Sequence, residues 1–190
     1  MAISESNAAE ALRSVSHVQR RTLLAKGYSQ ASPHLALSGV IWAAGYIASG
    51  LTPPESWPLF WVPLAFIGVF GSFALSFRGA RPVAGDLAAR VMPAARMLWT
   101  IGASMAFGAS TFLLFQPKDM VPALAFPALF LAYVYVLVGA TGASRYLWIG
   151  GGVFTVTALG LILMPQAIAF WVAAAGGGGL LAGALWMRKP

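Results

Sequence analysis

The chain contains no cysteine in its 190 residues. Disulfides, thiolate metal sites and cysteine nucleophiles are therefore excluded together, and redox compartment cannot be read from the sequence. Histidine is nearly as scarce. His17 and His34 both precede the first long apolar run, so neither a pair of axial haem ligands nor an H-E-x-x-H zinc site is available inside the later runs. Only five residues are acidic. No charged residue and no histidine falls well inside a long apolar run, whereas proton relays, ion pathways and voltage sensors need ionisable groups at membrane depth. The same absence leaves no buried lysine for a retinal Schiff base. Ser38, Ser72, Ser104 and Ser110 lie within apolar runs, but no histidine or lysine accompanies them as a base. Their expected role is hydrogen bonding to backbone or to neighbouring helices. The glycine runs lack the Lys-Ser/Thr ending of a phosphate loop. No catalytic, cofactor or metal site is assigned.

What the chain has in abundance is apolar sequence. It is 59% hydrophobic and 9% charged, against about 25% charged in soluble domains, and its mean hydropathy is +0.77. This composition predicts an all-α integral membrane protein. Six apolar runs near the membrane-spanning length of about 20 residues are visible, at 35–51, 58–77, 97–116, 120–139, 146–164 and 167–187. They are continuous and do not alternate as barrel strands would. The first begins only at Leu35, behind a polar arm, and is expected to act as an uncleaved anchor. The organisation is thus an arm, 1–33, and a six-helix bundle, 34–190.

Basic residues set the expected orientation. Arg13, Arg20, Arg21 and Lys26 lie in the arm; Arg78, Arg81, Arg90 and Arg96 follow the second run; Arg145 follows the fourth; Arg188 and Lys189 form the tail. The three remaining connections hold only Lys118. Eleven against one places both termini in the cytoplasm by the positive-inside rule. Short loops and an Ala- and Gly-rich composition point to a bacterial inner membrane. The net charge of +7 is then mainly a topology signal, suited to anionic headgroups. Nucleic acid is not an expected partner, because these residues flank spans and are not interleaved with aromatics on one soluble face.

The phrases "RMLW" at 96–99 and "RYLW" at 145–148 mark the same station, where the chain enters the membrane from the cytoplasm. Arg96 and Arg145 are expected to snorkel, with Trp99 and Trp148 in the interfacial belt. Trp186 belongs to the same belt, and Trp57, Phe60 and Trp61 to the opposite one. Each phrase leads, about 20 residues on, to a proline in a short outer turn, Pro117 and Pro165. With Pro53 and Pro54 in a looser first copy, the six runs form three helical hairpins.

In the last run, "AAAGGGGLLAGALW" places Ala175, Gly179 and Gly183 four apart on one face, with Ala174, Gly178 and Ala182 beside it. Small residues at this spacing permit close helix packing, within the bundle or in a homodimer. The glycine run also invites a kink. Residues 7–26 follow helical periodicity, with Ala8, Ala11, Leu12, Val15 and Val18 opposite Arg13, His17, Arg20 and Arg21. Asn7 is expected to cap this amphipathic helix and Gly27 to stop it. Arg13, His17, Arg20 and Arg21 would then meet lipid or a protein partner. A short helix around 86–91, with Asp86 and Arg90 paired, is expected between Pro82 and Pro93. Three functional classes fit: a non-enzymatic accessory or regulatory membrane protein, a carrier for an uncharged or amphiphilic solute built around Pro63 and Pro127, and a lipid-directed enzyme.

Overall fold

A computed structural model describes residues 5–79, 94–115 and 119–188. The described residues are helical, in the order α1 (Glu5–Leu51), α2 (Trp57–Gly79), α3 (Ala94–Phe115), α4 (Met120–Ala140), α5 (Ser144–Leu163), α6 (Ile168–Val172), a π segment (Ala173–Gly178) and α7 (Gly179–Met187). Short 3-10 turns at Pro54–Ser56 and Pro165–Ala167 lead into α2 and α6. Apart from α1, which begins at Glu5, the helices start and stop close to the ends of the apolar runs, because prolines and polar residues punctuate those runs. Five of the helical columns are long and apolar enough to cross a membrane; in α3 the apolar stretch is shorter, Gly102–Phe115. The proposed pairing of Asp86 with Arg90 lies outside the described residues, as do Pro117 and Lys118.

Two expectations for the arm are corrected. Asn7 is not a cap, since α1 already begins at Glu5, and Gly27 is not a stop, since α1 runs on through Gly27 and Pro33 to Leu51. A stopping glycine works by adopting a left-handed backbone, and among the described residues only Gly142 does so, at φ 117°. Gly27 stays helical because Leu24, Tyr28 and Ala31 on either side of it pack against the core. That tertiary contact outweighs a helix-propensity cost of about 1 kcal/mol. A 47-residue helix is about 70 Å long, more than twice the thickness of a bilayer's hydrocarbon core.

The centre of the bundle is the last column, α6 to α7. It runs antiparallel to α1 along most of its length, and it is enclosed on other sides by α4 and α5. Leu180, Val172 and Met187 are fully buried there, together with Val153 of α5. The most extensive pairing joins α4 to α5, through the tight turn at Thr141–Gly142. Only glycine sits easily at the positive φ of Gly142. Along this pair Gly150 lies against the Ala132 carbonyl, 2.7 Å from where its Cβ would stand. α3 touches α4 lightly, through Phe112 on Phe126 and Gly108 on Phe130. α2 leaves a broad apolar surface of Phe66, Phe70, Phe73 and Phe77 exposed.

Candidate functional site

Small residues let the last column sit this deep. Gly177 faces Ala43 of α1, Gly176 faces the Trp42 ring, and Gly39 of α1 lies so near the Gly177 carbonyl that a Cβ at position 39 would stand 3.0 Å from it. Of the face read from sequence, Ala175 and Gly183 are buried and Gly179 half-buried. Gly183 lies against Ile149, and Gly179 against Val153. The adjoining face of Ala174, Gly178 and Ala182 is exposed. What the spacing argument missed is the partner stripe on α1, Gly39 and Ala43, whose own four-residue spacing was the available signal. The glycine run is wound as a π segment, a geometry that inserts an extra residue into an α-helix.

At the end of the bundle from which the arm emerges, three chain segments converge on Tyr28. The Arg145 amide donates to the Tyr28 hydroxyl at 3.4 Å, and the Arg145 guanidinium lies 4.9 Å from the Tyr28 ring centre. The same guanidinium donates to the Trp186 carbonyl at 3.1 Å and lies 5.6 Å from the Trp186 ring. Ser32, almost fully buried, donates to the Ala184 carbonyl at 2.8 Å and accepts from Arg188 Nε at 3.2 Å. Ala184 and Trp186 belong to the last turn of α7, where the Arg188 amide also donates to the Trp186 carbonyl. A side chain from α1 and a cation from α5 add to the bonding of that turn, and the positive charge also opposes the helix dipole. Tyr146 lies between Tyr28 and Tyr135, tilted to the first ring and edge-on to the second, and closes the cluster. Tyr28 and Ser32 carry no mark in the sequence that distinguishes them from other arm residues; only the continuation of α1 through Gly27 brings them here.

Beside this cluster a groove of about 400 Å³ opens between α5 and the last column. Gly152, Val153, Val156, Ala175, Gly179 and Gly183 line it, with Trp148 and Trp186 at its arm end. Its lining is almost wholly apolar. Trp148 and Trp99 are largely exposed. Trp61, expected in a belt, instead turns inward, donating to Ser49 Oγ at 3.0 Å and meeting Tyr46 edge-on. Arg13 and Arg21 are exposed on α1, whereas the side chains of His17, Arg20 and Arg96 lie outside the described residues. Pro63 and Pro127 sit inside unbroken helices, and neither lines the groove.

No group of three or more potential metal-ligating His, Asp or Glu residues occurs among the described residues. The Thr157 hydroxyl, fully buried in α5, has no hydrogen-bond partner. The groove's own lining contains no Ser, Thr, Lys, His, Asp or Glu, so it offers a binding surface without a nucleophile–base pair. Comparison with protein families, curated proteins and solved structures found no match.

Proposed function

We propose that this chain is a six-span bacterial inner-membrane protein, three hairpins with both termini cytoplasmic, acting as a non-enzymatic accessory or regulatory subunit through its basic arm. The observation that carries this reading is the continuity of α1: the exposed arm with Arg13 and Arg21 is one rod with the segment that packs against α7. A partner that moves the arm therefore acts directly on the α1–α7 seam, because no flexible joint intervenes at Gly27. The partner is a membrane or cytoplasmic protein with an acidic face, suited to the exposed Arg13 and Arg21. A solute carrier has less support, since Pro63 and Pro127 leave their helices unbroken and stand away from the groove.

Photo-crosslinking residues placed at positions 13 and 21 are expected to yield a discrete protein adduct in intact cells. Deleting residues 1–26 should abolish it while the bundle stays folded, and Pro63→Ala with Pro127→Ala should leave it unchanged. Solute uptake into proteoliposomes that survives the deletion but disappears with the proline changes would overturn the accessory role in favour of a carrier.

A further inference from the structure

We infer that the partner protein seats an acidic segment in the corner between the arm and the end of the bundle, with Arg13 and Arg21 on the wall and Arg188 and the 141–144 turn on the floor. This rests on the accessory reading above and adds to it a face of the arm and a second contact surface. Helical geometry defines the corner. α1 packs on the bundle through Leu24, Tyr28, Ala31 and Leu35. Arg21 precedes Tyr28 by seven residues and Arg13 precedes Leu24 by eleven, so at about 100° per residue each falls within about 20° of the residue it precedes. Both arginines therefore stand on the bundle side of the arm, about 10 Å and about 22 Å out from Tyr28. Val15, nine residues before Leu24, and Thr22, two before it, fall on the outer side. Beneath the arginines Tyr28 meets Arg145 and Tyr146 in the first turn of α5, beside the 141–144 turn. Arg188 reaches Ser32, one turn along α1 from Tyr28. Thr141, Ser144 and Arg188 are all exposed on this floor.

The corner carries positive charge that the chain leaves unbalanced. Among the described residues no ion pair involves Arg13, Arg21 or Arg188, and Arg188 donates to the neutral Ser32 hydroxyl. Arg145 is already engaged by Tyr28 and Trp186 and is not counted. The chain's five acids are placed elsewhere: Glu5 and Glu10 lie further out than Arg13, Glu55 and Asp119 belong to the turns before α2 and α4, and Asp86 lies between Arg81 and Arg90. The floor adds the start of α5, where Ala143 supplies no side-chain cap, so the positive end of that helix dipole opens on the same corner. An acidic segment is the complement of this surface.

Reach and sign decide among anionic occupants. Arg13 stands about 33 Å along α1 from Leu35, where the apolar run begins, whereas the headgroup layer on each side of a bilayer is about 5–8 Å thick. Lipid phosphates therefore do not reach it. A second copy would bring the same cations to the corner and be repelled. Nucleic acid asks for a longer row of cations interleaved with aromatics. A protein segment that lies along the wall and rests on the floor meets all three arginines, and it ties α1 to the α4–α5 hairpin and to the end of α7.

The test places photoreactive side chains singly at positions 13, 21 and 141, and at 15 and 22 on the outer side, in the full-length protein in intact cells. One adduct of the same size is expected from 13, 21 and 141, about five-fold stronger than from 15 and 22, and its crosslinked peptide should be rich in Asp and Glu. Arg21→Glu should lower the adduct from position 141 about five-fold, and Arg21→Lys should keep it. Equal adducts from 15 and 22, none from 141, no response to Arg21→Glu, or a crosslinked peptide without acids would each overturn the corner while the accessory reading stands. Lipid, nucleic acid or a second copy as the species captured at 13 and 21 would overturn it as well. An absence of protein adducts at all of these positions would instead bring down the accessory reading itself.

Discussion

At Gly177 an added methyl would stand 2.7 to 2.8 Å from the Ala43 Cβ, Cα and backbone nitrogen, and a backbone cannot rotate away. At Gly183 the obstruction is the Ile149 side-chain terminus at 2.6 Å, and at Gly179 it is a Val153 methyl at 3.3 Å. These contacts rank three glycines that look alike in the sequence. Gly177→Ala is expected to cost about 1–3 kcal/mol, the range for overpacking a tight interior. Gly183→Ala should cost less, because Ile149 can change rotamer. Gly179→Ala should be close to neutral, since the mild crowding is offset by a helix-propensity gain of up to about 1 kcal/mol. Thermal unfolding in one mild detergent measures all three, and equal midpoints would mean that the last column does not press on α1 as described. The four-residue spacing of Ala175, Gly179 and Gly183 was legible, but the close approach to the α1 backbone lies on Gly177, which that spacing skips. The π segment explains the miss: it shifts the register part-way along the column, so one ideal helical projection cannot hold for both halves.

That shift gives the last column its own test. A π segment accommodates one surplus residue while the α-helical turns on either side keep their partners. Gly178 is exposed, and a Cβ there would meet nothing within 4 Å, so its removal takes away no contact of its own. Deleting Gly178 should convert residues 173–177 to α-helix and keep Leu180, Gly183 and Ala184 facing inward, with a small change in the unfolding midpoint. Deleting Ala182, also exposed, should turn Gly183, Ala184 and Met187 by about 100°. That would separate the Ala184 carbonyl from Ser32 and expose Met187, and the protein should be lost or strongly destabilised. Equal effects from the two deletions would contradict the register. α1 shows the converse problem in element prediction. Gly27 and Pro33 are sound local signals for a helix end, yet α1 passes both, because Tyr28 and Leu35 are buried on either side of Pro33 and hold the chain in line. Local propensity lost to tertiary packing there, and no periodicity in the arm could have announced it.

Across the whole molecule, helix positions were readable and helix neighbours were not. Apolar runs of spanning length betray themselves, but a helix that is apolar all round carries no stripe to say which side faces a partner. The pairing of α4 with α5, the light contact of α3 and the convergence of α1, α5 and α7 on Tyr28 therefore had to come from structure. Arg145 and Trp148 were singled out from a repeated phrase; their proximity to Tyr28 and Trp186 was hidden in chain segments far apart in sequence. The convergence strengthens the case for one orientation. Tyr28, Arg145, Trp186 and Arg188 share one end of the bundle, while Glu55 and Asp119 sit in the turns leading into α2 and α4, at the far ends of α1 and α3. Basic residues thus concentrate at the arm end, where Arg13, Arg21, Arg145 and Arg188 lie, the pattern expected if that end faces the cytoplasm. Reporter fusions after Pro190 and within the Thr141–Gly142 turn should be active only with a cytoplasmic reporter, and fusions near Glu55 and Lys118 only with an exported one. Moving basic residues should shift this balance: replacing Arg145 and Arg188 with Glu, and adding two lysines beside Glu55, is expected to raise the inverted fraction. An exported C-terminus in the unaltered chain would require an odd number of spans or a reversed bundle, and a reversed bundle would carry the arm away from any cytoplasmic partner.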